Sequence, residues 1–321
     1  MSDSLYPNRT TDPNQPVQSW VERNGFKHWG FGLMWLFTAL LPMQFIILIG
    51  VFIVLVLTGS IENISGGELE SFFTQADFLI SFNSAWQVLA LAAGTLLVTK
   101  LHTSRENISQ FLRLRAPTKR VMLSLIAVML IIVMQPMVWF LGYINSFLPA
   151  PDVLTQMQAD QMQLIQSLMQ GQFSVLFILF NIAVVPAFCE EIMFRGYIMR
   201  TFEKHTTIFW AILFSSIIFG LFHLQITHFL PLSFIGGVLA LLAYGSNSLL
   251  PAIVAHFTNN ALSVVVATQY PESELASISP STAPPIWLVL ISMVFTGLII
   301  TFLVQQLRSL KQEEQREIKN V

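Results

Sequence analysis

Long apolar stretches alternate with short polar ones along most of the chain. A helix needs about 20 apolar residues to cross a bilayer. By that measure we find eight stretches: about 30–58, 78–99, 121–148, 173–189, 207–223, 229–243, 249–268 and 285–305. Stretches this long and this apolar are helical when they lie in a membrane. The pattern therefore predicts an all-α, polytopic membrane protein with about eight transmembrane helices, of which the fifth to seventh are short or interrupted.

The positive charges fall on one side of these stretches. If the N-terminus lies in the cytoplasm and the spans alternate, all 16 Lys and Arg residues lie in cytoplasmic segments. Cytoplasmic loops of membrane proteins carry an excess of Lys and Arg. The distribution therefore predicts that both termini lie in the cytoplasm (N-in, C-in).

Composition supports this division of the chain. Only 11% of the residues are charged and 54% are hydrophobic, whereas soluble domains carry about 25% charged residues. We divide the chain into a polar N-terminal tail (1–27), a transmembrane domain (28–305) and a charged C-terminal tail (306–321). Residues 153–169 fit either an amphipathic helix on the outer surface or a loop with local helix. No basic patch of the kind that binds nucleic acid is present, and the apolar composition makes the lipid bilayer the expected partner of this domain.

The fourth stretch ends in two adjacent carboxylates, Glu190 and Glu191, followed by Arg195. Ionisable residues at membrane depth are costly and usually functional. Helical residues four apart share a face, so Arg195 can pair with Glu191, while Glu190 is turned away by about 100°. Glu190 is then the candidate general base and Glu191 the paired acid. The alternative is a helix end at the headgroups, with these side chains in water.

Two later stretches carry histidines with a polar or aromatic residue four positions away. These pairs are Phe219-x-x-x-His223 and His256-x-x-x-Asn260. Two imidazoles and a carboxylate can position a water or bind Zn²⁺, so Glu190, His223 and His256 are also candidate metal ligands. Asn260 could donate a hydrogen bond to a developing oxyanion. A single intramembrane histidine, in contrast, often only bonds to a neighbouring helix.

Together these segments resemble the three motifs of a protease family. The motifs are, in chain order, Glu190-Glu191-x-x-x-Arg195, Phe219-x-x-x-His223 and His256-x-x-x-Asn260. They resemble those of the CAAX prenyl protease and bacteriocin-processing (CPBP, or Abi) family of intramembrane proteases. The resemblance covers about 174–268, which is the catalytic core on the fourth to seventh helices.

The resemblance implies a role for each of these residues. Glu190 would activate a water, supported by Glu191 and Arg195. The histidine of the second motif would assist at the water or bind a metal, and the third motif would stabilise the oxyanion or complete the metal site. The cofactor would be Zn²⁺ or none, and the setting a bacterial cytoplasmic (inner) membrane.

We therefore expect an intramembrane endopeptidase that cuts a membrane-associated peptide or protein near the cytoplasmic side. One alternative is a proton-coupled transporter that uses the Glu and His residues as a relay. An inverted repeat would favour a transporter, and none is visible in the sequence. A second alternative is a non-proteolytic relative that acts as a membrane scaffold or immunity protein.

Straight, full-length spans would keep the three motifs apart. Glu190 is near the inner end of its stretch, whereas His223 is at the far end of the next, about 24 Å along that helix at 1.5 Å per residue. Three arrangements would bring them together: a fourth helix that continues inward to about 203, a kink at Pro186, or a partly re-entrant segment 223–250. A single site requires Glu190 and His223 to lie within about 10 Å of each other.

Overall fold

A computed structural model describes residues 18–40, 76–103, 107–117, 119–170, 173–270 and 282–319. Within these ranges the protein is built from helices and contains no strand, which confirms the predicted all-α class. Most of the first predicted stretch, 41–58, lies outside the described residues.

Twelve helices lie in the described ranges. In chain order they are α1 (Trp20–Arg23), α2 (28–40), α3 (Ala76–His102), α4 (Ile108–Phe111), α5 (Arg120–Val133), α6 (Gln135–Asn145), α7 (Asp152–Gln170), α8 (Val175–Glu203), α9 (Ile208–Phe222), α10 (Phe229–Ser246), α11 (Leu250–Gln269) and α12 (Ile286–Lys319). A 3-10 turn, Ile226–His228, joins α9 to α10. Helix α3 contains a π-helical segment, Gln87–Gly94, and α8 contains two, Phe180–Val184 and Ile192–Ile198.

Five helical segments in the described part of the chain are long and apolar enough to cross a membrane. They are Ile80–His102, Val175–Glu203, Ile226–Ser246, Leu250–Gln269 and Ile286–Ser309. Helices α5 and α6 would form a sixth crossing if they are one span, because a bend of 45° separates them. The protein is thus an integral membrane protein by the length of its apolar helices. The number of eight spans and their orientation stay predictions, since α9 has only 15 residues.

Two further segments are helical: residues 153–169, for which the sequence fits either a helix or a loop, and the C-terminal tail. Residues 153–169 belong to α7, so the helix predicted there is present. The C-terminal tail does not begin a new element, because α12 continues without a break to Lys319.

Helix α8 forms the centre of the bundle. Every side chain from Cys189 to Met199 is buried, and a helix that is covered on all sides belongs to the core. Helix α12 instead exposes large apolar side chains, among them Trp287, Val294 and Leu298. In a membrane such side chains face lipid.

The length of α8 removes the conflict over depth. Because α8 continues to Glu203, Glu190 lies 13 residues, or about 20 Å, before its end. Helix α9 then returns through 15 residues, or about 22 Å, to reach His223. Of the three arrangements considered, the structure thus has the first, a fourth helix that continues inward to 203. This brings Glu190 and His223 to one depth.

Candidate active site

Side chains from three helices meet at the middle of α8. Oε2 of Glu190 lies 3.8 Å from Nε2 of His223, at the end of α9, and 3.9 Å from Nε2 of His256, on α11. Glu190 and His256 are buried, whereas the His223 side chain is 23% exposed. The arrangement is therefore a buried carboxylate flanked by two imidazoles, with an opening on the His223 side.

Glu191 and Arg195 hold His256 in this arrangement. Nη1 of Arg195 donates to Oε1 of Glu191 at 2.6 Å, which is the pair that the four-residue spacing predicts. Nδ1 of His256 lies 2.9 Å from the same oxygen. One carboxylate thus joins the cation of α8 to the histidine of α11.

The guanidinium of Arg195 is itself fixed by two further groups. Nη2 donates to the main-chain carbonyl of Gly236 on α10 at 3.1 Å, and the group lies 4.1 Å from the centre of the Phe219 ring. A Cβ atom on Gly236 would lie 3.2 Å from both Phe219 and Ser216 of α9. The glycine therefore allows α10 to approach closely enough for its carbonyl to reach Arg195.

The hydrogen-bond partners assign the tautomers of the two histidines. Nδ1 of His223 lies 2.8 Å from the carbonyl oxygen of Phe219, and Nδ1 of His256 faces Glu191. A carbonyl and a carboxylate oxygen accept hydrogen bonds, so both Nδ1 atoms carry the proton. In the neutral rings both Nε2 atoms then present a lone pair toward Glu190.

A buried asparagine fixes the turn that follows His223. Oδ1 of Asn145, on α6, accepts from the main-chain nitrogen of Leu230 at 2.7 Å, and its Nδ2 donates to the carbonyl of Ile226 at 2.8 Å. Leu224 has a φ of 54°, so the chain reverses sharply at this point. The clamp holds the C-terminal end of α9, and with it His223, against the bundle.

Asn260 lies one helical turn beyond His256, and its amide has other partners. Nδ2 donates to the carbonyl of Ile182 in the first π segment of α8 at 3.1 Å, and Oδ1 accepts from Asn259 at 3.3 Å. Asn259 in turn lies 3.4 Å from Nε2 of Gln135. The structure thus places Asn260 in a chain of amides that joins α6, α8 and α11. A polar residue within the apolar 121–148 stretch, Gln135, was the sequence signal for this chain.

The three predicted zinc ligands, Glu190, His223 and His256, lie together. Among the described residues, no three His, Cys, Asp or Glu side chains are placed to hold one ion. The chemistry of Glu190, His223 and His256 would suit Zn²⁺, and histidine ligands commonly donate their second nitrogen to a carboxylate or carbonyl, as both do here.

Several polar atoms of the site are buried without a hydrogen-bond partner in the described part of the protein. They are Oε2 of Glu190, Oε2 of Glu191 and Nε of Arg195. A buried polar group without a partner costs about 1–3 kcal/mol of stability. A role in catalysis is one explanation for such groups in native proteins. The site is therefore suited to a polar reactant.

A comparison with protein families bears on these motifs. The model of the family described as "Type II CAAX prenyl endopeptidase Rce1-like" matches residues 172–262. This match confirms the resemblance to the CAAX protease family. The CAAX protease-like segment, 172–262, begins just before α8, ends within α11 and contains all three motifs. It covers less than a third of the chain, and no curated protein or solved structure matches.

Proposed function

We propose that the protein is an intramembrane endopeptidase that hydrolyses a peptide bond with a water activated by Glu190. The observation that carries this proposal is the convergence of Glu190 Oε2 with the Nε2 atoms of His223 and His256. A general base must come within hydrogen-bond reach of the proton it removes, and a water between Oε2 and either Nε2 atom, 3.8 or 3.9 Å apart, would be within reach of both. Their position inside the CAAX protease-like segment favours peptide hydrolysis over other reactions of water.

Each group has a defined part in the proposed reaction. Glu190 takes one proton of the water as the oxygen attacks the carbonyl carbon of the peptide. The lone pair on Nε2 of His223 or His256 accepts a hydrogen bond from the second hydrogen of the same water and so orients it. As the C–N bond breaks, the protonated carboxyl of Glu190 returns its proton to the leaving amine nitrogen, and the second hydrogen stays on the new carboxyl group.

The remaining motif residues position these groups. Glu191 and Arg195 fix the tautomer of His256 and keep its ring beside Glu190. Asn260 is proposed as the oxyanion donor on the basis of the resemblance, and the second N–H of its amide is the group that would serve. The bond to the Ile182 carbonyl favours a role in holding α11 against α8 as well.

The proposed setting is a bacterial cytoplasmic membrane with both termini in the cytoplasm. The basic residues support this orientation, since Arg200 and Lys204 lie at the end of α8 and Arg308 lies near the end of the last span. The substrate is proposed to be a membrane-associated peptide or protein that is cut near the cytoplasmic side of the membrane.

A conservative substitution of Glu190 tests the proposal. Glu190→Gln keeps the size of the side chain but removes the base, so we expect cleavage to fall by about 10²–10⁴-fold with an unchanged melting temperature. The measurement is a comparison of membrane proteins and released peptides between the variant and its parent. Glu22→Gln, on α1 outside the site, is the matched control and should leave the peptide pattern as it is. Identical peptides in all three strains would favour the carrier or scaffold alternatives.

Metal dependence is a separate question with its own test. Zn²⁺ at Glu190, His223 and His256 would supply a Lewis acid for the carbonyl, whereas the proposed mechanism uses the protein side chains alone. We therefore expect cleavage to persist after dialysis against a zinc chelator, and the purified protein to contain no stoichiometric zinc. Loss of cleavage that returns when Zn²⁺ is added would replace this mechanism with a metal-dependent one.

A further inference from the structure

An elongated crevice lies away from the candidate active site, between helices α5, α10 and α12. Its volume is about 270 Å³, and apolar side chains form nearly all of its wall. Leu130 of α5, Val238 of α10 and Ile300 of α12 line it within the apolar part of the bundle. None of the residues that line it belongs to the three motifs.

The crevice runs along the helices. It is lined on α12 from Ile300 to Arg308, which corresponds to about 12 Å, and on α10 from Val238 to Gly245, which corresponds to about 10 Å. A Cβ atom on Gly245 would collide with Leu307, so α10 and α12 touch at this end. The shape suits an extended chain that lies parallel to the helices.

The two ends of the crevice differ in polarity. Arg308, an exposed residue, and Tyr244 line the end at which the last span finishes. The guanidinium of Arg113 lies 5.5 Å from the centre of the Tyr244 ring, so a second cation lies behind this end. The opposite end, at Leu130 and Val238, contains only apolar side chains. An occupant must therefore be apolar over most of its length and anionic at one end.

We propose that this crevice binds one acyl chain of an anionic phospholipid, with the phosphate at Arg308. The bilayer in which the helices lie supplies this molecule, and basic pockets between transmembrane helices are known to bind anionic headgroups. The bound acyl chain exchanges its contacts with other lipids for contacts with α5, α10 and α12. It also excludes water from the crevice. The site does not depend on peptidase activity.

The experiment measures lipid that stays bound to the full-length protein. The protein is reconstituted in vesicles of equal parts phosphatidylglycerol and phosphatidylcholine, extracted in mild detergent, and examined by native mass spectrometry. We expect one retained lipid with a preference for phosphatidylglycerol. Arg308→Gln should reduce that preference by about fivefold, the effect of one cation near a membrane surface. Arg23→Gln, on α1, is the matched control and should keep it.

Two substitutions that fill the crevice test the chain-binding part. Val304→Trp and Leu241→Trp each place a large ring on a lining position that is exposed in the structure, so neither requires repacking of a buried core. Whichever variant elutes and melts like the parent should lose the retained lipid. Equal retention in a folded filling variant overturns the site. An unchanged headgroup preference in Arg308→Gln overturns the placement of the phosphate.

Discussion

Two polar clusters lie against helix α8, one on each side of Gly196 in the sequence. The first is the carboxylate site, which consists of Glu190, Glu191, Arg195, His223 and His256. The second is the histidine cluster, which consists of His28, His102, Tyr197 and His205. A Cβ atom on Gly196 would lie 3.2 Å from the carbonyl of Leu112, so the glycine lets the chain after α4 approach α8 closely. Both clusters use imidazoles in the core of a membrane protein, but they are built from different partners.

A chain of hydrogen bonds connects most of the histidine cluster. Tyr197 Oη lies 2.8 Å from Nε2 of His102, and Nδ1 of His102 lies 2.8 Å from Nδ1 of His28. Nε2 of His28 lies 3.3 Å from Oε1 of Glu22, and its main-chain nitrogen donates to Nε2 of His205. One assignment satisfies the chain: Tyr197 donates to His102, and His102 donates to His28, whose proton is on the side of Glu22.

The comparison shows what separates a structural cluster from a reactive one. In the histidine cluster the hydrogen bonds account for both nitrogens of His102 and for the Tyr197 hydroxyl. In the carboxylate site, Glu190 Oε2 and Glu191 Oε2 are buried without a hydrogen-bond partner in the described residues. The histidine cluster has one such atom among the described residues, Nε2 of His28, and it faces the Glu22 carboxylate at 3.3 Å. A polar network whose atoms face partners stabilises a core, whereas carboxylate oxygens without a partner can still bind a reactant. This difference, rather than the presence of histidines, favours the carboxylate site for chemistry.

The largest expected effect comes from breaking the ion pair of the carboxylate site. Arg195→Met leaves the buried charge of Glu191 without its partner, which should lower the free energy of unfolding by about 3–5 kcal/mol. Thermal unfolding in detergent measures the loss. The double variant Glu191→Gln/Arg195→Met removes both charges and should recover much of that stability. If the double variant is as unstable as Arg195→Met, packing of the arginine rather than charge explains its role.

A smaller effect is expected at the histidine cluster. Tyr197→Phe removes one hydroxyl and leaves Nε2 of His102 without a donor, so we expect a loss of about 1–3 kcal/mol. Since the cluster is proposed to be structural, the cleaved peptides found for the parent should not change. Loss of cleavage in a stably folded Tyr197→Phe variant would remove the distinction between the clusters.

The carboxylate site could be predicted in part because local spacing determines much of it. The four-residue spacing of Glu191 and Arg195 predicts their ion pair, and the structure contains it. The membrane positions of Glu190, His223 and His256 made them candidates, because polar residues in apolar stretches are few and conspicuous. Their convergence depended on where α8 ends, and an apolar pattern that is interrupted by charged residues does not determine that end.

The histidine cluster could not be predicted, since it depends on contacts between distant parts of the chain. His28 and His102 are 74 positions apart, and His28 and His205 are 177 positions apart. Each histidine stands alone in its local sequence, where a helix end exposed to water is the more common environment. The Asn145 clamp on the turn after α9 was missed for the same reason, because its two partners lie 81 and 85 positions away.

The smallest expected effect is a dependence of the histidine cluster on pH. Burial lowers the pKa of His28 below its ordinary value of 6.5, and the charge of Lys204 adds to this, while Glu22 acts in the opposite direction. The unfolded chain therefore binds a proton at a higher pH than the folded protein does. Stability is fully present above about pH 6.5 and decreases as the pH falls below it. A protonated His28 would also donate from Nδ1, where it now accepts from His102.

Hydrogen exchange of residues 18–40 measures this effect, because α1 and α2 dock through His28. We expect faster exchange at about pH 5.5 than at about pH 7.5, after correction for the intrinsic rates. His28→Gln cannot gain a proton and should lose the difference, whereas His228→Gln, on the 3-10 turn outside the cluster, should keep it. If the pH dependence persists in His28→Gln, another group causes it. The comparison of the two clusters would then rest on hydrogen bonding alone.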